Sequence, residues 1–436
     1  SRRPSVTTAL IGFGILLLLC FFGFRVGFAT LFVGLVGFAL QRGWSPALSM
    51  TGQQIMDDAM SYNLSVIPLF ILMGVFIYRA DLSKDLYTAA YSGLGRFRGG
   101  LALSTVVACA GFSAVSGSSV ATAATMTRVA MGPMRKYKYH DSLSSGTIAA
   151  GGTLGIMIPP SVPLVIFGIV AEQDIGKLFI AGVLPGILLV ALFMGAVSVV
   201  VRLNPEAGPA GEPLDPAEAR RAQRAVWPVL ALFVLVLGGI YGKVFTPTEA
   251  SGIGAVGAAA IAFMRGHLRS LPEWRDALVE ATKTTATLFI VIFGALVFAQ
   301  FINLSGLPYD LVDIVEDFEL TGTQIVIFVM FIAILMGMVF ESIGILLLLV
   351  PVFLPSLFAA GVDMIWFGIL VVLVTELGLI TPPIGMNVFV VRSVMPDIKL
   401  GHIFKGVVAF IVADLIALGL VFWLPEIATF LPKLME

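Results

Sequence analysis

Apolar stretches long enough to cross a lipid bilayer recur from one end of this 436-residue chain to the other. They fall near 6–24, 26–41, 63–79, 101–127, 142–172, 178–202, 226–245, 248–265, 283–304, 323–357, 364–392 and 404–431. A spanning helix needs roughly 20 such residues. Runs of that kind in lipid must satisfy their backbone internally, so the fold class is an all-α polytopic membrane protein. Composition agrees, with 58% hydrophobic and 12% charged residues, against roughly 25% charged in soluble domains. A formal net charge of −1 excludes a basic nucleic-acid binder. Cys20 and Cys109 lie in apolar runs, make no metal motif by spacing, and read as small buried hydrophobes. Arg2 and Arg3 precede the first run without a small-residue cleavage site after it, so no cleavable signal peptide is expected.

Several segments are cut by Gly and Pro, and the cuts come in pairs. LGIMIPP (154–160) recurs as LGLITPP (377–383), an offset of 223. Upstream of the first lies GFSAVSGSSVATAATM (111–126); upstream of the second lies GMVFESIGILLLLVP (337–351). Matching Ser116 with Ser342 gives an offset of 226. Interrupted apolar segments at corresponding places in two halves point to a transporter's binding site. A polar linker, 203–224, divides the halves, and 81–100 and 266–283 read as amphipathic helices on the membrane surface.

Loop charge orients the halves. Segment 101–127 is flanked by Arg96, Arg98, Arg128, Arg135, Lys136 and Lys138, so both its ends are cytoplasmic and it is a re-entrant hairpin. Segment 323–357 follows a flank with Asp310, Asp313, Glu316, Asp317 and Glu319 and no Lys or Arg, so its hairpin enters from the periplasm. The repeats are therefore inverted, with the linker cytoplasmic beside Arg202, Arg220, Arg221 and Arg224. The same count puts the N-terminus outside, in conflict with Arg2 and Arg3.

The chemistry resides in the interruptions. Unwound main chain at membrane depth must line a cavity or contact protein. Hydroxyls of Ser113, Ser116, Ser118 and Ser119, with carbonyls freed around Gly155 and Ile158 by Pro159, Pro160 and Pro163, are hard oxygen donors suited to an alkali cation. A small-residue packing face is the structural alternative. Ser342, Thr375, Thr381 and the backbone near Gly378 are the repeat counterparts. Glu341 and Glu376 are carboxylates at hydrophobic depth and further candidates, with a buried anchor as the alternative for Glu376. Asn387 lies just past the second break, where it can hydrogen-bond substrate or serve structure. His140, His267 and His402 lack metal-ligand spacing; Arg392 ends a segment, and Asp414 sits in an apolar helix. No GxxxxGK[ST], GxSxG or HExxH motif occurs, so neither ATP hydrolysis nor the common membrane hydrolase chemistries are expected, and the chain is not read as an enzyme.

The combination of GFSAVSGSSVATAATM, GGTLGIMIPPSVPLVIFG (151–168), IGKLFIAGVLPG (175–186), FTPTEASGIGA (245–255) and TELGLITPPIGMNVFVV (375–391) resembles the large membrane subunit of tripartite ATP-independent periplasmic (TRAP) transporters, the DctM-like family of the ion-transporter superfamily. The resemblance implies an elevator-type importer in the bacterial inner membrane, with two re-entrant hairpins and two discontinuous helices in a mobile domain. On that pattern, 1–100 and 225–322 are scaffold and arm segments, 101–202 and 323–403 the transport-domain halves, and 404–436 a C-terminal helix. It further implies Na⁺ as coupling ion and no other cofactor, a small membrane subunit, a periplasmic substrate-binding protein and a small carboxylate cargo such as a C4-dicarboxylate or sialic acid. A stand-alone ion-coupled carboxylate transporter is the alternative. Carried over by motif, the first Na⁺ site uses Ser113, Ser116, Gly155, Ile158 and Pro160. The second uses Ser342, Thr375, Gly378, Thr381 and Pro383. Substrate sits near Ser119, Thr153, Ser161 and Asn387. Two departures stand out: Gly23-Phe24-Arg25 where relatives have Gly-x-Pro, and Glu341 where aspartate is common.

Overall fold

The computed structural model describes residues 6–338 and 340–435; Arg2 and Arg3, and the side inferred from them, lie outside the described residues. The first half comprises α1 (Val6–Phe21), α2 (Val26–Arg42), α3 (Trp44–Ala59), α4 (Val66–Arg79), α5 (Leu82–Leu94), α6 (Gly100–Ser116), α7 (Ser119–Lys136), α8 (Asp141–Met157), α9 (Val162–Val170) and α10 (Ile175–Leu203). The second comprises α11 (Pro216–Tyr241), α12 (Pro247–Met264), α13 (Leu271–Ser305), α14 (Leu307–Asp317), α15 (Gly322–Gly337), α16 (Ser342–Ala359), α17 (Met364–Ile380), α18 (Met386–Val394), α19 (Leu400–Trp423) and α20 (Glu426–Lys433). Helices α10, α11, α13, α16 and α19 are each long and apolar enough to cross a bilayer alone. The shorter apolar helices include the hairpin limb α6 and the half-helix α17, which cannot span singly.

The repeat is visible in the helix boundaries. Helices α7 and α16 have 18 residues each, and both Ser119 to Ser342 and Lys136 to Ala359 differ by 223. Helices α8 and α17 have 17 each, and both Asp141 to Met364 and Met157 to Ile380 differ by 223. The counterpart of Ser342 is thus Ser119, not Ser116. Matching serine with serine misses that the second limbs begin after the N-cap positions, Ser118 with a capping bond and Glu341 without one.

The mates run in opposite directions. The start of α8 touches α19 at Gly406, where an added Cβ would lie 3.1 Å from Gly146 Cα. The start of α17 touches α19 at its other end, where the Trp366 indole N–H donates to the Val421 carbonyl at 2.8 Å. These two points are 15 residues apart, about 22 Å along a helix. Helices α8 and α17 therefore enter the bundle from opposite ends, which is an inverted repeat. The halves interlock, with α7 against α18 and α16 against α9, while α13 lies along α2 and α12 along α4. Backbones approach closely there: a Cβ on Gly34 would lie 2.7 Å from Phe298 Cα, as small residues permit in membrane packing.

The α8–α19 contact tests packing against propensity. Glycine in a helix interior is worse than alanine by about 1 kcal/mol. Yet a Cβ on Gly406 would press into the Ser142 backbone, and overpacking costs typically ~1–3 kcal/mol. Gly406→Ala is expected to lower the melting temperature of the detergent-solubilised protein. Gly419→Ala on the same helix, with open space around it, is expected to leave it unchanged or raise it.

Four expectations are corrected. Residues 271–283 are not a separate surface helix: Ser270 and Glu273 cap α13 reciprocally, and no Gly or Pro follows Pro272 until Gly294, so it runs 35 residues. At about 52 Å it overshoots the roughly 30 Å hydrocarbon core. The linker is shorter than 203–224, because Pro216 begins α11. Segment 404–431 is two helices, parted at Leu424–Pro425. Helices α3 and α14 are additional; their polar and acidic residues kept them below the apolar threshold.

Between α18 and α19, Asp397 accepts a hydrogen bond from Arg135 Nη2 at 2.5 Å, and Arg135 also reaches Asp141 at 3.3 Å. The Arg135 hydrogen bond holds the exposed Asp397 carboxyl below its ordinary 3.8. A depressed carboxylate value adds stability that is complete above the unfolded value and lost as pH falls through the folded one. The melting difference between wild type and Asp397→Asn is therefore expected at neutral pH and to vanish well below 3.8.

Candidate functional site

The first hairpin turns at Gly117, whose φ of 60° suits glycine, and Ser118 caps α7 by accepting from the Ala121 amide. Its tip sits on the break between α8 and α9. A Cβ on Gly155 would lie 2.7 Å from the Ser118 carbonyl oxygen, and one on Gly117 would lie 3.1 Å from the Pro160 carbonyl oxygen. Pro159 and Pro160 lack amide hydrogens, so the Gly155 and Ile156 carbonyls lose their helical donors. The Ser161 hydroxyl donates to Ile156, which leaves the Gly155 carbonyl as the one without its helical donor. The Ser113 hydroxyl is fully buried without a partner among the described residues. The Thr122 hydroxyl donates to the Ser118 carbonyl at 2.8 Å, so at their 2.8 Å contact Ser116 is the donor and its lone pairs stay free. Ser113, Ser116, Gly155 and Pro160 thus share one locality; Ile158 ends α8 with extended backbone, its side chain against Gly186. Thr122 belongs to this group and was not singled out by sequence. Its signal was the spacing Ser118-x-x-x-Thr122, which returns a hydroxyl to the turn one helical turn later.

The second half is related but not identical. Gly378 packs against Gly337, where a Cβ would lie 2.5 Å from Gly337 Cα. Thr375 and Thr381 hydroxyls donate to Val372 and Leu377 carbonyls at 2.7 and 2.6 Å, and each keeps free lone pairs. The Gly378 carbonyl accepts from the Thr381 amide at 3.2 Å. Position 384, matching Ser161, is isoleucine, so no hydroxyl caps this break. Pro382, Pro383 and Ile384 are exposed, whereas Pro159, Pro160 and Ser161 are buried. Both Pro-Pro bonds are cis.

The two tips meet at one cavity of about 690 Å³, a size suited to a small solute. Hairpin one supplies Ser116 through Ala121, Thr125 and Arg128; hairpin two supplies Glu341, Ser342 and Ile343. Helix α4 supplies Ile71, Gly74 and Tyr78, and α13 supplies Glu280, Lys283, Thr284 and Thr287. Of the expected substrate residues, Ser119 lines this cavity. Thr153 and Ser161 are buried behind the break, with their hydroxyls donating to Ala150 and Ile156. Asn387 is buried, its amide donating to the Ala149 carbonyl at 3.0 Å and its oxygen without a partner among the described residues. Glu341 stands at the N-cap position of α16, where its side chain makes no capping bond, and lines the cavity. Glu376 is fully buried near the Met157 backbone and near Asp414 on α19, whose carboxylate is also buried.

Residues 13–427 match the family "Tripartite ATP-independent periplasmic transporter, DctM component". The chain belongs to that family. As a DctM-family permease it is a multi-pass inner-membrane transport protein, not an enzyme. It is 34% identical over 385 residues to the C4-dicarboxylate TRAP transporter large permease protein of Pseudomonas aeruginosa, covering 87% of this chain and 88% of that one. It is 32% identical to the sialic acid TRAP transporter large permease protein of Vibrio cholerae, covering 95% and 96%. It is 31% identical to the ectoine TRAP transporter large permease protein of Halomonas elongata, covering 98% and 99%. In fold the DctM-family chain is similar to the YdaH transporter of Alcanivorax borkumensis, with a TM-score of 0.64 at 14% identity, covering 95% of this chain and 97% of that one.

Proposed function

We propose that this permease performs Na⁺-coupled uptake of a small organic acid, a C4-dicarboxylate, sialic acid or another carboxylate, by an elevator movement of its hairpin domain. A periplasmic binding protein delivers the cargo, and a small membrane subunit completes the complex. One observation carries the reading: a hydroxyl-rich tip seated on a proline-broken helix whose carbonyls have lost amide donors, with the tip of the second, inverted hairpin on the same cavity. Such oxygens are the ligands expected for a co-transported alkali cation. Ser113, Ser116, Gly155, Ile158 and Pro160 would hold one Na⁺. Ser342, Thr375, Gly378, Thr381 and Pro383 would hold a second, with less enclosure in this arrangement. Cation binding fixes each tip against its broken helix, which favours movement only of the loaded domain.

The test is uptake into proteoliposomes containing both membrane subunits and the binding protein. Accumulation is expected to require an inward Na⁺ gradient, and Ser116→Ala to raise the Na⁺ concentration for half-maximal rate. Accumulation indifferent to Na⁺, or equal transport by the permease alone, contradicts the proposal.

A further inference from the structure

The cavity wall carries two cations without a salt-bridge partner among the described residues. Lys283 comes from α13 of the scaffold and Arg128 from α7 of the first hairpin. Neither has a carboxylate partner among the described residues; Arg128 only donates to the Tyr78 hydroxyl at 3.0 Å. Glu280, one turn before Lys283, is engaged by Arg79 at 2.7 Å. Two cations against at most one free carboxylate, that of Glu341, leave the cavity electropositive whether Glu341 is charged or neutral. Clefts with low-dielectric walls focus such fields and raise the local concentration of opposite charge. Arg128 stands nine residues beyond Ser119, about 14 Å along the limb toward its Lys136 end. Arg128 therefore stands between the hairpin tips and the basic end of α7, and Lys283 faces the same cavity from α13.

We propose that Lys283, with Arg128, makes this cavity an anion-concentrating vestibule that selects net-negative solutes over neutral or zwitterionic ones. Lys283 is a positioning residue fixed on the scaffold, so the attraction stays in place while the hairpin moves past it. That the anion is the transported cargo rests on the uptake reading above; the field itself does not.

The test uses the full chain in lipid nanodiscs, with Cys20 and Cys109 replaced and Thr287→Cys as a reporter one turn from Lys283 on the cavity wall. Modification rates with an anionic sulfonate thiosulfonate and a cationic trimethylammonium thiosulfonate are each divided by the rate with a free thiol. The anionic reagent is expected to be favoured by about tenfold at low salt, less so in 1 M salt. Lys283→Gln should remove most of that preference and Lys283→Arg should keep it. A ratio at or below one, a ratio unchanged by Lys283→Gln, or no reaction with either reagent overturns the vestibule. A loss of Na⁺-driven accumulation with the ratio intact would instead count against the uptake reading.

Discussion

Gly155→Ala is expected to weaken Na⁺ affinity by about 10–100-fold, the range seen when groups supporting metal ligands are altered. Helix propensity argues the other way, since alanine in a helix is better by about 1 kcal/mol. Contact decides the sign. The added Cβ would lie 2.7 Å from the Ser118 carbonyl oxygen and 3.0 Å from Thr122 Oγ1. The first of these is backbone in a tight turn and cannot swing aside like a flexible side chain. The tip must lift off the break, separating Ser116 from the Gly155 and Pro160 carbonyls. Gly132→Ala, with open space around it, is the matched control and should transport like wild type. The Na⁺ dependence of the initial uptake rate measures both; equal half-maximal Na⁺ in Gly155→Ala and wild type would contradict the seating of the tip.

Joint replacement of Pro159 and Pro160 by alanine is expected to abolish uptake. Each proline in a helix interior costs about 3 kcal/mol relative to alanine. Replacing both therefore shifts the segment strongly toward one continuous helix through α8 and α9. Two new amide hydrogens would claim the Gly155 and Ile156 carbonyls, and the bend of 41° between the halves would straighten. Pro228→Ala, at a proline inside α11 away from the tips, should keep uptake. Uptake surviving the double replacement would mean that the freed carbonyls have no part in transport.

Those prolines are also why so much was legible in the sequence. A missing amide is a property of the residue itself, so LGIMIPP and LGLITPP announce their breaks without any tertiary knowledge. The inverted order followed from loop charge, Arg135 to Lys138 on one side and Asp310 to Glu319 on the other. What failed needed the third dimension. Pairing Ser116 with Ser342 relied on residue identity, while the second limbs begin after the N-cap positions Ser118 and Glu341. The surface reading of 266–283 weighed charge and overlooked that nothing between Glu273 and Phe293 breaks a helix. Arg128 read as a flanking charge and Lys283 as the end of the 266–283 segment; only the fold places them on one cavity wall. The exposure of the second break was equally hidden, although Ile384 in place of Ser161 was a visible hint that the two halves differ.

The most direct test of the account is a cryo-EM map of the permease in lipid nanodiscs, recorded once in saturating Na⁺ and once with Na⁺ replaced by a large organic cation. A density peak among Ser113, Ser116 and the Gly155–Pro160 carbonyls, present only in Na⁺ and lost in Ser116→Ala, is the predicted result. Identical maps in the two conditions, with the tip seated and no peak in either, would contradict it.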